Sequence, residues 1–233
     1  MGPGLVVAID GPAGSGKSSV SRAVATRLGL QYLDTGAMYR AMTWAVLEAG
    51  IDPEDTAAIV GVIEGEAPPE LRSGTDPGNP TIEVDNVDVA DPIRGSVVTD
   101  AVSAVSAVPQ VRTYLVELQR RYVADSVADG GSGIVVEGRD IGSVVLPDAD
   151  VKIFLTADPS VRAQRRAAEN LAGHDPSLAA TESALLTRDA KDSSRAVSPL
   201  TKADGAIEVD TSDLGFDEVV HAVVHLCRQA ATK

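Results

Sequence analysis

The sequence has little or nothing of several features that would define a class of protein. Its 233 residues include one cysteine, so an internal disulfide is excluded, which is typical of a reducing cytoplasm. No apolar run approaches the roughly 20 residues that span a bilayer. The first residues contain no basic segment of the kind that precedes a signal core. We therefore expect a cytoplasmic protein that has no membrane partner.

Positive charge is also scarce. The chain holds 20 Lys and Arg against 34 Asp and Glu, which gives a formal net charge of −14. A surface of this sign repels the phosphates of a nucleic-acid polymer, so no such partner is expected. A mononucleotide in a pocket lined by a few arginines is compatible with the charge. We expect a monomer that handles small molecules.

Short β-branched runs alternate with helix-compatible stretches along most of the chain. The first run, residues 5–9, leads into a glycine-rich turn and then a helical pattern at 17–28. The other predicted strands are 31–34, 134–137, 151–155 and 206–209, and the other predicted helices are 37–49, 111–128, 159–171, 177–190 and 216–229. The alternation predicts an α/β fold of one domain, 1–233, with a five-stranded parallel sheet flanked by helices.

Residues 67–93 break this alternation. They are rich in Pro, Gly and Asp, and two short extended runs, 81–84 and 87–89, flank Asp85 and Asn86. Asp-Asn between such runs is a hairpin signal, which predicts a small antiparallel insertion beside the main sheet. A disordered acidic loop is the alternative that the sequence leaves open.

The turn after the first strand contains the most specific motif of the chain. Gly11, Gly16, Lys17 and Ser18 match G-x-x-x-x-G-K-[ST] between a predicted strand and a predicted helix. The glycines let successive backbone N–H groups form a nest for phosphate, and the helix adds its positive N-terminus. Lys17 neutralises the β- and γ-phosphates, and the Ser18 hydroxyl is a ligand for Mg²⁺. The predicted ATP site comprises Gly11, Pro12, Ala13, Gly14, Ser15, Gly16, Lys17, Ser18 and Ser19.

A P-loop alone does not fix the function, because GTPases and mechanical ATPases also contain one. Residues 201–204 read T-K-A-D, close to the guanine-reading N-K-x-D, but the chain contains no D-x-x-G to sense the γ-phosphate. This absence disfavours a GTPase. An ATPase that works on a macromolecule needs a carboxylate to activate water, and Glu137 is the last residue of a predicted strand. That alternative stays open.

Seven arginines lie in three of the predicted helices, just after one of these helices, and in the loop after the predicted strand 134–137. Transfer between two phosphates spreads negative charge over several oxygens, and the planar guanidinium binds phosphate in a bidentate manner. Each arginine alone also fits a solvated surface, but the set favours a kinase for a small phosphorylated acceptor. The set comprises Arg40, Arg139, Arg162, Arg165, Arg166, Arg188 and Arg195.

Five segments together resemble the bacterial cytidylate kinases, which convert CMP or dCMP plus ATP to the diphosphate. They read I-D-G-P-A-G-S-G-K-S at 9–18, L-D-T-G-A-M-Y-R at 33–40, E-G-R-D-I-G at 137–142, V-K-I-F-L at 151–155 and R-D-A-K-D-S-S-R at 188–195, followed by A-V-S-P-L. The resemblance covers nearly the whole chain, and the insertion looks like the extra antiparallel segment of that family. It implies a P-loop kinase fold in which 36–112 bind the monophosphate and 158–195 form a helical lid.

The resemblance also implies which residues bind the nucleoside of CMP. Ser103, Arg112 and Asp140 would read cytosine, since a hydroxyl and a carboxylate accept from its amine while a guanidinium donates to its ring nitrogen. Arg188 and Asp192 would hold the sugar hydroxyls. Their i, i+4 spacing on one helix also suits an internal ion pair.

The same resemblance implies how the phosphates are bound. The residues around the acceptor phosphate would be Thr35, Arg40, Arg139 and Arg195. The lid residues Arg162, Arg165 and Arg166 would close over ATP and exclude water. The catalytic residues would be Lys17, Arg139, Arg188 and Arg195. No general base is required, because a phosphate nucleophile is already anionic.

Three positions depart from the pattern of that family. Glu137 stands where aspartate is usual, which changes how far the carboxylate reaches toward the water on magnesium. Thr35 stands where serine is common and keeps the hydroxyl, and Ser19 stands where threonine is frequent.

Overall fold

The computed structural model describes residues 4–169, 178–195 and 199–231. In these ranges eight strands form two sheets. The strands are β1 (Leu5–Asp10), β2 (Gln31–Asp34), β3 (Leu71–Ser73), β4 (Ile82–Val84), β5 (Val87–Asp88), β6 (Gly133–Gly138), β7 (Val151–Thr156) and β8 (Ile207–Asp210). The larger sheet has five strands in the order β2-β6-β1-β7-β8, and all its pairs are parallel. The predicted fold is confirmed, and each of its five predicted strands lies within one residue of the observed bounds.

Helices cover both faces of the parallel sheet. They are α1 (Lys17–Leu28), α2 (Thr35–Glu48), α3 (Thr56–Ile63), α4 (Ser96–Val105), α5 (Pro109–Val127), α6 (Pro159–Glu169), α7 (Leu178–Ser193) and α8 (Phe216–Ala230). Successive residues of a strand point to opposite faces. Ala8 therefore packs with residues of α2 and α5, whereas Val7 and Ile9 pack with residues of α1 and α8. Within the described ranges no helix is long and apolar enough to cross a membrane.

Helix boundaries show where local signals were missed. Helix α2 begins at Thr35, two residues before its predicted start, because the Asp34 carboxylate accepts from Ala37 N at 2.9 Å and caps it. Helix α3 was not predicted, although Asp55 caps it in the same way. The predicted helices at 159–171 and 177–190 correspond to α6 and α7, and residues 170–177 lie outside the described ranges, as do 196–198 of the A-V-S-P-L segment.

The insertion is an antiparallel sheet, β3-β4-β5, so the alternative of a disordered loop is not supported. Asp85 and Asn86 form the predicted turn with φ of 51° and 66°. Both angles lie in the left-handed region that Asp and Asn tolerate, as a two-residue hairpin requires. The third strand, β3, was missed because only three residues follow the Pro68-Pro69 pair in extended form.

The insertion also reaches back to the parallel sheet. Tyr32 N of β2 donates to Thr75 O at 2.9 Å, on the side of β2 that has no neighbouring strand. Arg22 of α1 donates to Pro77 O at 2.9 Å and to Gly78 O at 3.3 Å. The loop between β3 and β4 therefore covers the outer edge of β2 and ties it to α1.

Candidate active site

A cleft with a volume of about 590 Å³ lies where β1, β2 and β6 end. The carboxyl ends of parallel strands meet at one edge of a sheet, so the loops that follow them converge there. The charged residues that line the cleft are Lys17, Asp34, Arg40, Arg94, Glu137, Arg139, Arg166 and Arg188. Six of these eight side chains are cations, although the whole chain has a net charge of −14. The cleft therefore concentrates positive charge, as a site for phosphates requires.

The glycine-rich loop between β1 and α1 forms the floor of the cleft. Gly14 and Gly16 have φ of 74° and 84°, and a Cβ on Gly14 would meet Arg162 O at 2.9 Å. No side chain caps the N-terminus of α1, so its backbone N–H groups remain available to an anion. The geometry agrees with the predicted phosphate nest. Ala13, Gly14, Gly16, Lys17, Ser18 and Ser19 line the cleft, whereas Gly11, Pro12 and Ser15 are buried in the loop.

Lys17 is folded back on the loop in this structure. Its Nζ donates to Pro12 O at 2.7 Å, and the residue is buried. Burial and the neighbouring Arg139 guanidinium lower the pKa of Lys17, while the carboxylates of Glu137 and Asp10 oppose that shift. If a phosphate bound here, the Lys17 ammonium could donate to its oxygens in place of Pro12 O.

Glu137 lies at the end of β6, between the loop and β2. The Tyr32 hydroxyl donates to its Oε1 at 2.7 Å, and the Thr35 hydroxyl donates to its backbone carbonyl at 2.7 Å. Its second oxygen, Oε2, is buried and has no hydrogen-bond partner in the described part of the chain. Burial and the nearby Asp34 raise the pKa of the Glu137 carboxyl, and Lys17 opposes that shift.

The residues around this carboxylate fit a magnesium ion that arrives with a nucleotide. Mg²⁺ keeps several waters and is usually held by one or two carboxylates plus substrate phosphates, without a cage of protein ligands. The described residues contain no cluster of three or more His, Cys, Asp and Glu that forms such a cage. The exposed Ser18 hydroxyl and the unpartnered Glu137 Oε2 are the oxygens that suit such an ion.

Asp192 of α7 connects two of the predicted catalytic arginines. Its Oδ2 accepts from Arg139 Nε at 3.1 Å, and its Oδ1 accepts from Arg195 Nη2 at 2.6 Å. Arg139 also donates from Nη1 to Gly11 O at 2.8 Å, which joins this network to the phosphate loop. The alternative of an Arg188–Asp192 ion pair is not observed, because both Asp192 oxygens face the other two arginines.

Arg112 and Asp140, two of the three predicted base-reading residues, form a buried ion pair at 2.5 Å. The Arg112 guanidinium lies 5.2 Å above the centre of the Tyr39 ring and donates from Nη1 to Ser106 O at 3.3 Å. The third predicted residue, Ser103, is half-buried, and its carbonyl accepts from the Ser106 hydroxyl. Sequence reasoning missed Tyr39, which lies 73 positions from Arg112, and Ser106, whose hydroxyl also accepts from Arg195, 89 positions away.

Arg40 and Arg188 line the cleft, and neither forms an ion pair with the described residues. Arg40 donates to Ile93 O and to the Thr99 hydroxyl, both at 2.9 Å. Arg188 forms no ion pair with the described residues, and its Nε is buried without a hydrogen-bond partner. Burial and the neighbouring Arg139 and Arg40 lower the pKa of Arg188 to about 10. Among the described residues no carboxylate forms an ion pair with either guanidinium, although Asp34 acts on Arg40 and Asp192 acts on Arg188 at longer range.

Of the three predicted lid arginines, only Arg166 lines the cleft. Arg162 lies behind the phosphate loop, where it donates to Ala13 O at 3.0 Å and pairs with Asp189 of α7. Arg165 donates to Thr211. Here these two side chains support the loop from outside, and their contact with ATP stays a prediction.

Asp10, at the end of β1, is a buried carboxylate that sequence reasoning did not select. It accepts from Ile141 N and Gly142 N, both at 2.8 Å. Burial raises the pKa of Asp10 to about 6. The two bonds fix the π-helical turn Ile141–Val145, which directly follows Asp140, beside the phosphate loop. The available signal was a charged residue that ends an otherwise apolar strand.

The fold and the cleft define a P-loop phosphotransferase, since a phosphate nest after the first strand of a parallel sheet faces a second group of cations. The family model for cytidylate kinase matches residues 7–229. The chain therefore belongs to the cytidylate kinase family and is a nucleoside monophosphate kinase.

Curated relatives agree over nearly the full length. The cytidylate kinase of Streptomyces avermitilis is 58% identical over 97% of this chain and 94% of its own. That of Nocardia farcinica is 54% identical over 97% of this chain and 94% of its own. That of Corynebacterium glutamicum is 50% identical over 99% of this chain and 97% of its own. A solved structure of an uncharacterized protein from Eubacterium ventriosum matches with a TM-score of 0.50, at 10% identity, over 96% of this chain and 98% of that one. This last match supports the fold alone.

Proposed function

We propose that the protein transfers the γ-phosphoryl group of ATP to CMP or dCMP, giving ADP and CDP or dCDP, with Mg²⁺ bound to ATP. The observation on which this rests is that the buried Arg112–Asp140 pair adjoins a cation-lined cleft with a P-loop. The names of the relatives support the same acceptor. The protein would act in the cytoplasm as a monomer, which light scattering on the purified protein tests.

On the donor side, the triphosphate would lie along the glycine-rich loop. The free N–H groups at the start of α1 and the Lys17 ammonium would hold its β- and γ-phosphates. Ser18 and Glu137 would hold Mg²⁺ or its waters, and the ion would neutralise charge on the phosphates. Arg166 would approach the triphosphate from α6, and Arg162 and Arg165 would follow as the lid closes.

On the acceptor side, the phosphate of CMP would lie among Thr35, Arg40, Arg139 and Arg195. An oxygen of that phosphate attacks the γ-phosphorus, and the bond from the γ-phosphorus to the β–γ bridging oxygen breaks. The attacking oxygen is already anionic, so no side chain has to remove a proton. Positioning and neutralisation of charge by Lys17, Arg139, Arg188 and Arg195 would account for the catalysis.

Base selection would follow from the hydrogen-bonding needs of a buried pair. The Asp140 carboxylate accepts from the exocyclic amine of cytosine, and Arg112 donates to its ring nitrogen. Uracil reverses both edges, so it would leave buried groups without partners, at a cost of about 1–3 kcal/mol for each. Ser103 would add a further acceptor for the amine. Arg188 and Asp192 would contact the sugar hydroxyls.

A coupled assay of ADP release across CMP, dCMP, UMP, AMP, GMP and dTMP tests this proposal. We expect turnover with CMP and dCMP, weaker turnover with UMP, and little with the others. Equal rates with CMP and AMP would refute the base-reading assignment. ATP hydrolysis that does not depend on a monophosphate would instead favour an ATPase that works on a macromolecule.

Asp140→Ala separates base reading from folding. We expect the preference for CMP over UMP to fall by about tenfold or more, as for a lost hydrogen bond to a charged group. Thermal melts measured alongside the kinetics report the stability cost of the same change. A variant that loses stability but keeps the full preference would remove Asp140 from the recognition of the base.

A further inference from the structure

The Tyr32–Glu137 pair lies on the face of the parallel sheet that α1 covers. Strands β2 and β6 pair so that Asp34 lies opposite Glu137 and Tyr32 lies opposite Val135. Tyr32 is two residues before Asp34, so it shares a face with Glu137 and reaches it diagonally across the two strands. The Tyr32 ring packs with Val20 and Val24 of α1 in the same apolar cluster. The helix that covers the pair is thus the helix that begins at the phosphate loop.

The hydroxyl of Tyr32 occupies one oxygen of the carboxylate and leaves the other alone. It donates to Glu137 Oε1 at 2.7 Å, and both residues are almost fully buried. The Thr35 hydroxyl holds the Glu137 carbonyl at 2.7 Å, so backbone and side chain are both fixed. Oε2 has no close partner in the described part of the chain, and the Ser18 side chain lowers the pKa of the carboxyl through a weaker hydrogen bond.

We infer that Tyr32 is a positioning residue for phosphoryl transfer: by holding Glu137 Oε1, it leaves Oε2 as the oxygen that meets a hydrated divalent cation brought in with the triphosphate. The inference rests on the proposed function for the presence of that cation. A carboxylate in the protein interior is stable only when its oxygens are paired. A purely structural Tyr–Glu contact gives no reason for the second oxygen to lack a close partner near Lys17 and Ser18, the two side chains of the phosphate loop that act on this carboxyl.

The Glu137 side chain has one methylene more than an aspartate, which gives its carboxylate more freedom and a longer reach. A single hydrogen bond from a ring locked in the apolar cluster restricts that freedom, because the tyrosine itself has few conformations to lose. Tyr32 thus compensates for the added length by fixing which oxygen faces the loop.

The test measures binding of the non-hydrolysable analogue adenosine 5′-(β,γ-imido)triphosphate by calorimetry, with Mg²⁺ and with EDTA. For the wild-type protein, Mg²⁺ should tighten binding by a measurable factor. In Tyr32→Phe we expect that factor to fall about threefold to tenfold, as for one lost hydrogen bond, while affinity in EDTA changes less than about twofold. Tyr114→Phe is the matched control, because Tyr114 donates a similar 2.8 Å bond to Pro69 O outside the cleft.

A double-mutant cycle decides whether Tyr32 acts through Glu137. Adding Tyr32→Phe to Glu137→Gln should produce no further loss of the magnesium effect, since the carboxylate is already gone. Glu137→Asp provides a second background that keeps the charge, and there too Tyr32→Phe should have little effect. Thermal melts of every variant confirm that the protein measured is folded.

Three results would overturn the inference. One is an equal loss of affinity with Mg²⁺ and with EDTA, which indicates a structural bond only. Another is the same change in Tyr114→Phe, and the last is additive effects of Tyr32→Phe and Glu137→Gln. None of these results bears on the assay that compares CMP with the other monophosphates. Turnover of CMP can persist when the positioning role of Tyr32 fails. It can also be absent when the effect of Mg²⁺ on binding of the analogue is intact.

Discussion

The two sides of the cleft are built in different ways. The proposed donor side consists of nine consecutive residues, Gly11 to Ser19, and the groups that it offers to phosphate are mainly backbone N–H groups at the start of α1. The acceptor side is assembled from side chains of α2, α4, α5 and α7 and of the loop after β6, joined by ion pairs such as Arg139–Asp192 and Arg112–Asp140. Backbone groups need only the right loop, whereas the side-chain network needs the complete fold.

The two sides also differ in how their charges are balanced without a nucleotide. On the donor side Lys17 has a carbonyl and nearby carboxylates. On the acceptor side Asp192 balances Arg139 and Arg195, but Arg188 is left among other cations. Such an arrangement stores repulsion that the negative charge of an arriving phosphate would relieve.

Changing the donor side should break the chemistry and leave the fold intact. Lys17→Ala should lower kcat by about 10³-fold, because one positioned cation at the transferring phosphate is lost. Steady-state kinetics measures the fall, and a thermal melt should show little change. The matched control is Lys202→Ala, whose exposed ammonium pairs with Glu208 far from the loop. Unchanged turnover in Lys17→Ala would refute the role of the P-loop.

Removing the charge of Asp192, which pairs with two arginines on the acceptor side, should reduce stability and activity together. Asp192→Asn leaves the half-buried Arg139 and Arg195 without the counter-charge of the buried Asp192, so we expect a loss of about 3 kcal/mol in the free energy of unfolding. Urea denaturation measures it. Asp217→Asn, which removes an exposed pair with Arg27, should cost less than about 1 kcal/mol. Similar losses for the two variants would show that the Asp192 network contributes no more than a surface contact.

Removing the charge of Arg188 should raise stability and lower activity. Arg188, whose pKa is lowered to about 10, stays charged at neutral pH, but its charge costs more free energy in the folded protein than in the unfolded chain. Arg188→Gln should therefore gain about 1–2 kcal/mol in unfolding free energy. Turnover of CMP should fall. Arg120→Gln is the control, because Arg120 donates to Val144 O and Val145 O and its loss should destabilise. A destabilised Arg188→Gln variant would contradict the account of stored repulsion.

The donor side was more predictable than the acceptor side because its contacts join residues that are close in sequence. The P-loop, its flanking strand and helix, and the hairpin turn at Asp85 each depend on neighbouring residues. The ties of Asp10 to Ile141 and of Arg139 to Asp192 join residues 131 and 53 positions apart. No local pattern encodes such distances. Arg112 and Asp140 were found through the family resemblance, whereas Tyr39 and Ser106, which touch Arg112, were missed.

The cover that the insertion places on β2 has a consequence for how copies of this protein can associate. A sheet with two open edges can add strands without limit, because each added copy presents a new edge. Here Thr75 O already occupies Tyr32 N at one edge, and β8 forms the other edge, with no further strand beside it in the described ranges. A second copy that added a strand beside β2 would have to displace this bond, so the β8 edge is the more open of the two to such pairing.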